Sequence, residues 1–135
     1  MAKLPQPVID LFNEPFVPKA MATCDAEGTL NVVPKGTVVA VDDETLAWGD
    51  VMGGKTNANV AATKKVAVTA FKMQLPPVGF QVKGTFQEFQ TAGALFDKMA
   101  KEVKERLSLD IQSVGIIKVD EVYSVAPPNA GKKIA

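Results

Sequence analysis

The chain has 135 residues, 47% of them hydrophobic, and its 15 lysines and arginines balance 15 aspartates and glutamates. That length and apolar content suit one domain around a single core, and scattered, balanced charge argues against nucleic acid or an anionic membrane as a partner. Histidine is absent and Cys24 is the sole cysteine, which excludes Ser-His-Asp and Cys-His catalysis and an internal disulfide, and leaves a zinc or heme site without its usual ligands.

Taken in chain order, the opening MAKLPQPVIDLF has no apolar run of signal-peptide length before its prolines. No later run approaches the roughly 20 apolar residues of a membrane helix, so the expectation is a cytoplasmic protein. A short amphipathic segment near residues 7–13 precedes two strands, 20–24 and 29–41, which flank the turn cluster Asp25-Ala26-Glu27-Gly28. This is a hairpin pattern. The second strand, TLNVVPKGTVVAV, runs into Asp42-Asp43-Glu44 and returns through residues 45–48 as a second hairpin. Pro34 cannot donate to a ladder, so Pro34-Lys35-Gly36 is expected at an edge, at a bulge or where backbone faces a ligand.

Residues 56–62 predict a short helix, and strands at 66–71 and 78 to about 89 flank Leu75-Pro76-Pro77 as a third hairpin. Thr91 is the expected N-cap of a longer helix near residues 92–107. Its apolar positions Leu95, Met99, Val103 and Leu107 recur every four residues, with Lys98, Lys101, Lys104 and Glu105 for the wet side. Strands at 113–119 and 122–125 complete the sheet, and the tail APPNAGKKIA reads as irregular, mobile unless a partner captures it. Strands joined by tight turns pair antiparallel, and many strands with few helices hide their edges by curling into a barrel. The expected fold is therefore mainly β, over residues 1–135 as one domain.

Residues 45–60, TLAWGDVMGGKTNANV, carry most of the functional information. A strand-like run empties into glycines and then into Lys55-Thr56 at a helix start. Glycines let backbone N–H groups approach an anion, lysine adds a charge, the threonine hydroxyl can donate, and the helix offers unpaired amides: a place suited to a phosphate. Gly49, Gly54, Lys55 and Thr56 also spell GxxxxGKT, the P-loop pattern. A P-loop belongs to a parallel sheet of βαβ units, which this chain does not offer. A nucleotide hydrolase, with magnesium on Thr56 and a second acid at Asp42 or Asp120, stands as the rival reading.

The order of these parts, with Lys-Thr opening a short helix after the third strand of a Greek-key barrel, and the run GGKTNANV, resemble the pyridoxamine 5'-phosphate oxidase-like family of flavin-binding split barrels, closest to its small FMN-binding members. The resemblance covers about residues 20–125 and implies an antiparallel split β-barrel that binds FMN noncovalently for electron transfer or reduction of a small acceptor. It implies that Lys55 and Thr56 hold the flavin phosphate, with Gly54 and Asn57 supplying nearby backbone. Val33, Pro34, Lys35 and Gly36 would lie along the isoalloxazine ring, and Trp48, Gly49 and Asp50 would border the ring and ribityl chain. It further implies an isologous homodimer with the cofactor site at the subunit interface.

Each assignment has a plainer alternative: Lys55 as a surface lysine, Trp48 as core, Lys35 snorkelling from an edge, Asp50 capping the glycine loop. The chain also departs from the family. It lacks the histidine-arginine substrate motif of the oxidase itself, so that activity is not expected, and Pro34-Lys35-Gly36 stands where an arginine is usual. A deazaflavin, or a non-catalytic barrel without cofactor, therefore stays open as well.

Overall fold

The computed structural model describes residues 2–135. In chain order the elements are α1 (Gln6–Asn13), β1 (Lys19–Cys24), β2 (Leu30–Pro34), β3 (Val39–Ala40), β4 (Thr45–Asp50), α2 (Lys55–Thr63), β5 (Lys65–Lys72), β6 (Val78–Gln90), α3 (Ala94–Leu107) and β7 (Ser113–Ser124). All strands join one sheet in the order β2-β1-β5-β6-β7-β4-β3. Every pairing is antiparallel. That removes the P-loop reading, because a GKT motif in this sheet lacks the parallel βαβ setting its chemistry requires.

The two edges of the sheet, β2 and β3, are successive in sequence. Seven strands laid flat would separate them by roughly 29 Å at about 4.8 Å per strand. The link from Pro34 to Val39 reaches at most about 18 Å at roughly 3.6 Å per residue. The sheet must therefore curl until its edges approach, which gives a barrel left open between β2 and β3. Register shifts in the long β6–β7 pairing, at Lys83/Gly84 and Phe86/Glu88, bend the strands to suit.

The barrel interior collects alternate side chains: Met21 from β1, Leu46 and Trp48 from β4, Val66 and Val68 from β5, Val82 and Phe86 from β6, and Ile117 and Val119 from β7. α1 joins this core through Val8, Leu11 and Phe12. Its last residue, Asn13, accepts from the Ala40 N–H at 2.8 Å and donates to the Ala40 carbonyl at 3.1 Å, so it occupies edge groups of β3 that no strand pairs. α3 packs Met99 against Ala47 and Val114 in a second, smaller cluster.

Four expectations are corrected. The strand expected at 29–41 is two strands, with Pro34 ending β2 and residues 35–38 crossing to the far edge, so Lys-Thr follows a fourth strand rather than a third. The longer helix starts at Ala94 behind Gly93, whose φ of 105° suits glycine, and not behind a Thr91 cap. Leu107 is 44% exposed and lies off the buried stripe. The tail is not loose: Ser124 N–H donates to the Lys132 carbonyl at 2.9 Å, Val122 N–H to the Ala135 carbonyl at 3.0 Å, and Tyr123 bridges Lys133.

Among the described residues no helix is long and apolar enough to cross a membrane. The core also sets a sharp steric limit at Gly115, which pairs with Trp48 across β4 and β7. A Cβ there would enter the Trp48 ring, itself fully buried. Gly115→Ala should cost about 2–3 kcal/mol in urea unfolding through overpacking. Gly36→Ala, where a Cβ meets nothing within 4 Å, should stay within about 0.5 kcal/mol.

Candidate phosphate cradle and its supporting loop

β4 ends in Gly49-Asp50, and Asp50 is only 2% exposed. A buried carboxylate needs donors to replace its lost water. Here Oδ1 accepts the Gly53 N–H at 2.9 Å, while Oδ2 accepts Asn57 Nδ2 at 2.8 Å and the Ser113 hydroxyl at 3.3 Å. Its backbone carbonyl takes the Gln112 N–H at 2.7 Å, and Gln112 Nε2 donates to the Val51 carbonyl at 2.7 Å. One side chain thus ties β4, β7, the glycine loop and α2 together.

The loop it holds turns through Gly53 and Gly54, with φ of 73° and 84°, the left-handed region that glycine enters without a Cβ penalty. α2 then begins at Lys55 with no side-chain cap, and its first intrahelical bond runs from Ala58 N–H to the Gly54 carbonyl at 3.2 Å. The amides of Lys55, Thr56 and Asn57 are therefore first-turn donors without intrahelical partners, at the positive end of the helix dipole. A Cβ built on Gly54 meets nothing within 4 Å, so the approach is open. Lys55 is exposed beside it and Thr56 is buried. α2 is fixed from behind, because Asn59 Nδ2 donates to Thr23 Oγ1 at 3.0 Å and Thr63 Oγ1 to the Cys24 carbonyl at 3.0 Å.

The second half of the expected site, residues 33–36, is anchored to the same place. Thr37 Oγ1 donates to the Gly49 carbonyl at 2.8 Å. Lys35 N–H donates to the Lys19 carbonyl at 2.9 Å, and Lys19 Nζ donates to the Val38 carbonyl at 2.6 Å. Lys19 thus grips both ends of the crossover. Val33 is half-buried against the core, Pro34 and Gly36 are exposed, and Lys35 is half-buried.

Gly49 and Asp50 join the crossover to the cradle formed by Gly54, Lys55, Thr56 and Asn57. Trp48 does not share that surface. Its indole is fully buried, with ring centroids 5.9 Å from Phe86 and 5.7 Å from Phe89. Its side chain turns inward along β4 and packs in the core. Asp50 likewise caps the glycine loop, with its charge directed at Gly53, Asn57 and Ser113.

Sequence reasoning offered Asp50 as a cap on the glycine loop, and missed Ser113 as its partner, Thr37 as the latch, and Lys19.

A model of the pyridoxamine 5'-phosphate oxidase family matches residues 14–127. The chain belongs to that family. The chain is similar to HupZ of Group A Streptococcus, with 27% identity over 96% of this chain and 99% of that one and a TM-score of 0.78. An FMN-binding protein of Syntrophomonas wolfei subsp. wolfei shares the fold at 17% identity, covering 87% and 83% of the two chains, with a TM-score of 0.81. HutZ, the heme storage protein of Vibrio cholerae, shares it at 14% identity, covering 88% and 93%, with a TM-score of 0.67. No curated protein matches the chain.

Two predictions follow from the geometry of this family member. Asp50→Ala should lower stability by roughly 2–3 kcal/mol in urea unfolding, since it strands donors on three elements, whereas exposed Asp43→Ala should stay within about 0.5 kcal/mol. The second concerns Lys19. Burial, reinforced by the charge of Arg106, lowers its pKa from 10.5 to about 8. The unfolded chain then binds more protons between those values, so this residue's contribution to stability rises as pH climbs from about 8 to 10.5. The stability difference between the native protein and Lys19→Met should shift in favour of the native protein over that window, read from urea midpoints at pH 7.5 and 10.

Proposed function

We propose that this chain binds FMN noncovalently and uses it for electron transfer or to reduce a small acceptor, as a cytoplasmic homodimer whose subunits share the cofactor site. The observation that carries the reading is the open first turn of α2, with Gly54 clear, Lys55 exposed and three amides without intrahelical partners. Membership of a family named for a phosphate-bearing substrate, and the shared fold of an FMN-binding protein, support it.

The residues present fit the group. A phosphate would take the amides of Lys55, Thr56 and Asn57 with Lys55 as counter-charge, while the backbone of residues 33–36 would address the ring. Asn57 Oδ1 is buried without a hydrogen-bond donor, a deficit that a hydroxyl-bearing chain at the cradle is suited to relieve. When bound, FMN supplies the redox step itself. The chain supplies position: Asp50 fixes the glycine loop and Asn57, and Thr37 and Lys19 hold the crossover. No side chain at the cradle is placed as a dedicated acid or base.

The homodimer is supported by the edge strand β2, where Leu30 is 80% and Val32 65% exposed. Exposed apolar side chains on an unpaired edge call for a cover.

The test is flavin retention through gel filtration, followed by FMN titration of the native protein and Lys55→Ala. Retained flavin bands are expected, with an affinity loss of about tenfold or more in the variant and an unchanged fold, since an exposed loop lysine contributes little to the core. Unchanged affinity in the variant would reject the phosphate assignment. Co-purifying heme without flavin would instead favour a role like that named for HutZ, through ligands other than histidine, which this chain lacks.

A further inference from the structure

The turn between β5 and β6 reads Met73-Gln74-Leu75-Pro76-Pro77, and its two apolar side chains other than proline stand in water: Met73 is 88% exposed and Leu75 98%. Turns favour glycine, asparagine, aspartate, serine and proline, so the backbone does not account for a methionine and a leucine there. A second turn lies against this one. The Val125 N–H donates to the Gly79 carbonyl at 3.0 Å, and Met73, Pro77, Val125 and Pro127 border one hollow of about 390 Å³. Val125, Pro127 and Pro128 are exposed as well. Two segments distant in sequence thus join their apolar tips in one patch, of the kind that marks an interaction surface.

Both turns are held in place. β5 and β6 pair as far as Lys72 and Val78. The second turn is closed by the Asn129 N–H on the Ala126 carbonyl at 3.1 Å and the Gly131 N–H on the Ser124 carbonyl at 2.7 Å. The tail then pairs with β7, which fixes the backbone of Lys132 and Lys133 beside the patch.

Charge selects the partner. Residues 71–79 and 124–133 contain Lys72, Lys132 and Lys133 and no aspartate or glutamate, so the balance of the whole chain does not extend to this end of the barrel. Lys72 is engaged by Glu14 at 2.6 Å. Lys132 and Lys133 are exposed and enter none of the ion pairs among the described residues. Glu121 of β7, on which the charge of Lys133 acts, already accepts the Tyr123 hydroxyl. A contact between two copies about a two-fold axis must be self-complementary, and this surface would set lysine against lysine. A protruding apolar turn flanked by unpaired lysines instead complements a surface that is anionic outside and apolar beneath.

We propose that this end of the barrel docks on a lipid bilayer that carries anionic headgroups. Met73 and Leu75 enter the boundary between headgroups and acyl chains, and Lys132 and Lys133 meet the headgroup anions. The surface is separate from the phosphate cradle: the 12 residues of β7 run from Ser113, at the Asp50 loop, to Ser124, roughly 36 Å along the strand. The proposal therefore does not rest on the FMN reading.

The test is co-sedimentation of the purified full-length chain with vesicles of phosphatidylcholine and phosphatidylserine in equal parts, and with phosphatidylcholine alone. The native chain is expected to bind the mixed vesicles, with affinity about fivefold or more weaker for phosphatidylcholine alone. Leu75→Ser, and separately Lys132→Gln combined with Lys133→Gln, should each weaken binding to the mixed vesicles by about fivefold or more. All three side chains are exposed, so both variants should fold as the native chain does. Lys98→Gln combined with Lys101→Gln removes the same charge from the exposed face of α3 and should leave binding unchanged. Failure of the native chain to bind the mixed vesicles, or an equal loss in the α3 variant, overturns the proposal. A smaller species for Leu75→Ser than for the native chain in light scattering without lipid also overturns it, by making the patch a contact between copies of the chain.

Discussion

The buried carboxylate of Asp50 is the constraint on which the candidate site depends. It is 2% exposed, and a charge so placed must be surrounded by donors or it opposes folding. The donors come from Gly53, Asn57 and Ser113, three separate elements. Satisfying one charge therefore sets the shape of the glycine turn, the starting point of α2 and the position of β7. Asp50 fixes the start of α2 by engaging both Gly53 and the Asn57 side chain.

The second constraint is topological. The crossover from β2 to β3 joins the two edges of a seven-stranded sheet, so the sheet must curl and the crossover must lie across the opening. Lys19 and Thr37 fasten it there, Thr37 to the Gly49 carbonyl immediately before Asp50. Cradle and crossover are consequently a single mechanical unit meeting at Gly49-Asp50.

Much of this was legible in the sequence, for reasons that are local. Turn chemistry at Asp25–Gly28 and at Leu75–Pro77 marks hairpins directly, the four-residue repeat through Met99 and Val103 marks α3, and Gly-Gly-Lys-Thr marks the turn into α2. What escaped is non-local. Residues 29–41 read as one strand because their β-branched residues are continuous, and the hydrogen bonds that pull 35–38 aside come from Lys19 and Gly49. Thr91 has the chemistry of a cap, but the strand runs to Gln90 and the chain needs Gly93 to turn into the helix. The tail carries no strand pattern and is ordered by pairing with Val122 and Ser124. Trp48 and Asp50 were readable as either site or scaffold, and both side chains are buried.

The central claim is that a flavin phosphate docks on the first turn of α2. Backbone amide NMR during an FMN titration tests it most directly. The account predicts that the amides of residues 54–57 shift most and saturate together, followed by those of residues 33–36, while the equally glycine-led start of α3 at Gly93 stays silent. Saturable binding that moves α3 or the β5–β6 surface and leaves residues 54–57 unmoved would contradict it.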